Sequence, residues 1–76
     1  MSDSARLELL AAQIHPSGSV ELGGEPQLLF IEKRQKVGDK IAVLLAGVEY
    51  EVEIVSIDKT RFRIRYNTVE TTRPIK

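Results

Sequence analysis

Between Val48 and Ile75 the chain alternates apolar and charged positions with a period of two. Val48, Tyr50, Val52 and Ile54 alternate with Glu49, Glu51 and Glu53, and Phe62, Ile64 and Tyr66 alternate with Arg61, Arg63 and Arg65. Successive side chains of a strand point to opposite faces, so each segment offers one apolar and one charged face. The charged faces have opposite sign, which suits neighbouring antiparallel strands. Apolar positions are even up to Ile54 and odd at Val55 and Ile57. One extra residue flips every later side chain, so the phase change predicts a β-bulge at Ile54 or Val55. Such a bulge bends a strand in the way that closes a small barrel.

Turn chemistry divides the rest. Asn67-Thr68 reads as a two-residue hairpin loop, pairing Tyr66 with Val69, Arg65 with Glu70, Ile64 with Thr71 and Arg63 with Thr72. Pro74 has no N–H to donate and marks the last strand as an edge strand or its frayed end. Ala46-Gly47 makes a tight connection into the Val48–Ile57 strand, and Val37-Gly38-Asp39 is a turn before an Ile41–Leu45 strand. Gln27 to Glu32 is a compact apolar run, bounded by Pro26 and the charged Lys33–Lys36 segment. Residues 1–5 read as a disordered start. Arg6 to Ile14 is short for a helix, and the His15-Pro16 and Ser17-Gly18-Ser19 turn followed by Val20–Leu22 suggests a hairpin of two strands. The expectation is a single small β domain over 6–76. Its class is all-β, an antiparallel barrel or two-sheet sandwich, SH3-like, with about six strands.

Seventy-six residues supply one modest core and little room for a deep substrate cavity. The chain has no Cys and one His, hence neither a disulfide framework nor a thiolate or His-cluster metal site. No apolar run reaches the roughly 18 residues of a membrane span, and no basic-start signal peptide is present. Net charge is zero but uneven. Residues 1–58 carry 5 basic and 10 acidic side chains, and residues 59–76 carry 6 basic side chains and Glu70 alone. The acidic part can neutralise the basic part, and the overall basic excess of a nucleic-acid-binding domain is missing.

Candidate chemistry is sparse. Asp39 and Asp58 stand in turns, where Asp serves the backbone, and no carboxylate pair has an acid–base spacing. His15 precedes a proline and has no nucleophile beside it. Gly23-Gly24 lacks the Lys-Ser/Thr and strand-to-helix context of a phosphate loop. Phe30, Phe62, Tyr50 and Tyr66 fall in phase with aliphatic core positions rather than forming a stacking platform. The Arg61, Arg63 and Arg65 ladder could grip an anion or an acidic partner, or could pair with Glu51 and Glu53 on one side and Glu70 on the other. The expectation is therefore no enzyme, no catalytic residue, no metal and no cofactor.

As a whole, residues 6–75 resemble the homology-region domain of the inner-membrane protein C of type II secretion systems, with its relative in the pilus assembly lipoprotein P. The resemblance is carried by LELLAAQI, then GSVELGGEPQLLFIEKRQKVGDKI, then YEVEIVSIDKTRFRIRYNTVETTRPI. Leu22-Gly23-Gly24-Glu25 and Val37-Gly38-Asp39 are its most distinctive elements. It implies a non-enzymatic docking module at the periplasmic face of the inner membrane, contacting periplasmic domains of a secretin. Attachment to the membrane would then run through a region outside this chain. The expected contact residues are Leu7, Leu9, Ala11 and Gln13 on an exposed first strand, together with Arg61, Arg63 and Arg65. The competing reading is an SH3-like or Sm-like nucleic-acid-binding module using the arginine face and Tyr66.

Overall fold

The computed structural model describes residues 1–75. A helix α1 (Asp3–Ala11) is followed by β1 (Gly18–Leu22), β2 (Glu25–Leu29), β3 (Arg34–Lys36), β4 (Lys40–Leu45), β5 (Val48–Ile57), β6 (Arg61–Tyr66) and β7 (Val69–Pro74). The strands form two antiparallel sheets, ordered β1-β2-β3 and β4-β5-β6-β7. The all-β expectation therefore holds in its two-sheet form, with seven strands among the described residues and no closed barrel. Bending β5 at its bulge does not bring β4 and β7 together, and both remain edges.

The N-terminal segment corrects the reading from sequence. It is neither disordered nor a strand, but a capped helix. Ser2, in extended conformation, accepts a hydrogen bond from the Ala5 N–H at 3.1 Å, and Asp3 adds negative charge to the first turn. Leu7, Leu10, Ala11 and Ile14 follow the 3.6-residue period and are all buried. Nine residues are too few for an isolated helix, so packing of that face against the sheets is what holds it. The opposite flank ties to the last hairpin, with Asn67 Nδ2 donating to Asp3 Oδ2 at 3.1 Å and Thr71 Oγ1 to Glu8 Oε2 at 3.0 Å. Arg6 extends over the Tyr50 ring, 5.2 Å from its centroid, while Tyr50 and Tyr66 meet edge to face at 6.0 Å.

Val20–Leu22 pairs with β2 instead of with the N-terminal segment. Gly23-Gly24 is the two-residue loop of that hairpin, both residues at positive φ as a primed turn requires. The charged segment before Val37 contributes β3, a three-residue edge. In the second sheet the last hairpin has the register read from the sequence, from Tyr66↔Val69 to Arg63↔Thr72. The bulge is also present: Ile54 pairs with Ile64 and Ser56 with Arg63, leaving Val55 between. The core joins Leu7, Leu10 and Ala11 of the helix and Ile14 just beyond it to Leu28 of the first sheet and to Val43, Val52, Ile54, Ile57, Phe62 and Ile64 of the second, with Ile75 at its end.

Candidate functional site: an open strand edge

The arginine ladder lies on the outer face of β6, as alternation requires, with Phe62 and Ile64 buried beneath. Its guanidinium groups are largely occupied within the fold. Arg63 Nε donates to Glu70 Oε1 at 2.6 Å and its Nη1 to Thr72 Oγ1 at 2.7 Å. Arg65 bridges Glu53 at 3.0 Å and Glu70 at 3.5 Å. Glu51 takes no part, because the register sets it against Ala42 and the bulge places Ser56 opposite Arg63. Glu53 and Glu70 raise the pKa of Arg65, first through the Glu53 hydrogen bond. The Glu70 carboxyl is held below its ordinary value, chiefly by the hydrogen bond from Arg63. Of the three, only Arg61 has no ion-pair partner among the described residues.

The other expected contact residues are separated by the helix. Leu7 and Ala11 are buried in the core and present nothing to a partner, whereas Leu9 is exposed on the outer side of α1. A helix satisfies its backbone internally, so the proposed first-strand edge does not exist. Gln13 alone stands beside a groove that borders a genuine edge.

That edge is β4. Four strands bound the two sheets, and three of them are blunted. β3 is three residues long and charged, and β7 carries Pro74. β1 is held near the second sheet by the Ser19 hydroxyl, which donates to the Lys59 carbonyl at 3.4 Å. β4 reads Lys-Ile-Ala-Val-Leu-Leu, with no proline and no charge after Lys40.

The hydrogen-bond phase of β4 follows from its pairing. Ile54 donates to the Asp39 carbonyl at 2.9 Å, and bonded pairs alternate along an antiparallel ladder. Ile41, Val43 and Leu45 therefore bond to β5, while the N–H and C=O groups of Lys40, Ala42 and Leu44 face the open side. Beside this edge runs a groove of about 670 Å³, whose apolar lining comes from Ile14, Phe30 and Ile31 on one side and from β4 residues 41–44 on the other. Ile31 is 98% exposed and Leu44 63% exposed, so apolar surface at this groove is open to solvent. Its polar lining includes Gln35, buried on β3; with its amide nitrogen toward Asp39 Oδ2 (2.9 Å) and its oxygen toward Lys33 Nζ (3.1 Å), both ends are satisfied.

Sequence reasoning located the Ile41–Leu45 strand without assigning it an edge. Edge status depends on which strands meet, a non-local property; the charge-free run is the local signal that points to it. No group of three or more His, Cys, Asp or Glu side chains capable of holding a metal occurs among the described residues. No protein-family model matches the chain, and neither a curated protein nor a solved structure shows significant similarity to it.

Proposed function

We propose that this protein is a non-enzymatic docking module that receives an extended segment of a partner protein along β4. The open backbone groups of Lys40, Ala42 and Leu44 beside an apolar groove are the observation that carries the reading. Strand addition takes affinity from main-chain hydrogen bonds and specificity from pockets for alternate side chains, and this edge supplies both elements. The resemblance of residues 6–75 to the secretion protein C and pilus lipoprotein P domains supports a place in a type II secretion or type IV pilus machine. The partner would be the periplasmic part of a secretin. In such an assembly modest single contacts gain strength through repeated subunits.

The direct experiment titrates isotope-labelled protein with the N-terminal periplasmic domains of a secretin and follows backbone amide shifts. Saturable changes centred on Ala42 and Leu44 are expected. Binding centred on Arg61, Arg63 and Arg65, or on double-stranded DNA with steep salt dependence, would replace this reading by another.

A further inference from the structure

The two faces of the β4 edge differ in chemistry. Inward stand Ile41 and Val43, with Ile14, Phe30 and Ile31 across the groove. Outward stand Ala42 and Leu44, with Glu51 and Glu49 as their respective partners on β5. Among the described residues neither Glu49 nor Glu51 is in an ion pair, whereas Glu53 is held by Arg65. Lys40 is the one basic side chain on this face of β4.

The second strand away from an added one lies roughly 9–10 Å from it, twice the interstrand spacing. Ala42 has only a methyl group, so a long side chain on the added strand crosses above it and meets Glu51. Lys and Arg have both the length and the charge for that contact. We infer that the edge receives a partner-protein segment that alternates apolar with basic side chains, the apolar ones in the groove and the Lys or Arg above Ala42 and Leu44. The inference rests on the proposed strand addition and narrows it. An acidic segment would meet like charge. A second copy of this chain, paired β4 to β4, would gather Glu49 and Glu51 of both copies on one surface against a single Lys40 from each.

Three short synthetic peptides test this, each with Val at every second position and with Lys, Thr or Glu between. Amide shifts of Ala42 and Leu44 report addition at the edge. The Lys peptide is expected to bind there about tenfold more tightly than the Thr peptide, with the Glu peptide weakest and the gap closing as salt is raised. In the Glu49→Gln/Glu51→Gln variant, whose altered side chains are solvent-exposed, Lys and Thr peptides should bind alike. Equal binding of Lys and Thr peptides to the unmodified protein would overturn the basic preference and leave strand addition standing. Absence of shifts at Ala42 and Leu44 with all three peptides would overturn the preference and the edge reading together. Concentration-dependent shifts there without peptide would identify a second copy as the occupant and overturn the inference.

Discussion

Gly38 donates its N–H to the carbonyl of Ile54 at 2.8 Å, fastening the turn between the two sheets to the residue where β5 slips register. Ile54 answers with its own N–H to the Asp39 carbonyl, and Asp39 Oδ2 accepts from the Lys36 N–H at 3.1 Å. This turn also sets the hydrogen-bond phase of β4, and so decides which of its residues face the open side. Gly38 has φ +95°, and a Cβ built there meets nothing within 4 Å. Gly38→Ala should therefore cost about 1–2 kcal/mol through backbone conformation alone. Chemical denaturation measures it; an unchanged midpoint would show that the turn tolerates an L side chain.

Ile64 has no solvent exposure and sits opposite Thr71 in the middle of the second sheet. Ile64→Ala should destabilise the fold by about 2–5 kcal/mol, enough to unfold so small a domain. Arg61→Ala, on the outer face, should stay within about 0.5 kcal/mol of the parent. A reversed order would mean that the two faces of β6 are exchanged.

Glu70 gives a pH prediction with a defined sign. Its carboxyl is held below the ordinary range, chiefly by the Arg63 hydrogen bond, partial desolvation opposing and the charges of Arg63 and Arg65 assisting. The folded state thus binds its proton less readily than the unfolded state. The contribution is complete above the ordinary carboxylate pKa and disappears as pH falls through the lower folded value. Glu70→Gln should be less stable than the parent near neutrality, with the gap narrowing on acidification. A gap that widens toward low pH in urea titrations would contradict the assignment.

Hydrogen exchange should alternate along β4. The amides of Ala42 and Leu44 face the open side and should exchange much faster than that of Val43, which bonds to β5. Equal protection at all three positions would show that the edge is already covered. Addition of a partner strand should slow Ala42 and Leu44 selectively.

Local signals in the second sheet were sufficient because the information there is local. The Asn67-Thr68 register, the Arg and Glu faces and the bulge at Ile54 all follow from alternation and one change of phase. The N-terminal segment differs from its sequence expectation because the same short stretch is compatible with two periods. Leu7, Leu10, Ala11 and Ile14 obey the helical one, and Ser2 caps it, but the short length weighed against a helix. That choice also put an open strand edge at Leu7 to Gln13, where the structure has a helix covering the core. The groove brings Ile14 and Phe30 together with Ile41, three segments that are distant in sequence and that only tertiary packing assembles.

Pro74 limits how readily the second sheet can gain strands. Ile75 donates to the Thr60 carbonyl at 2.8 Å, so by alternation the backbone position of Pro74 faces away from β6. The missing N–H thus costs the ladder nothing and removes a donor from the outer rim of β7. A second copy cannot extend the sheet there as readily as a strand extends it at β4. Growth by head-to-tail stacking of copies, which needs both rims of the second sheet, is therefore disfavoured on the β7 side.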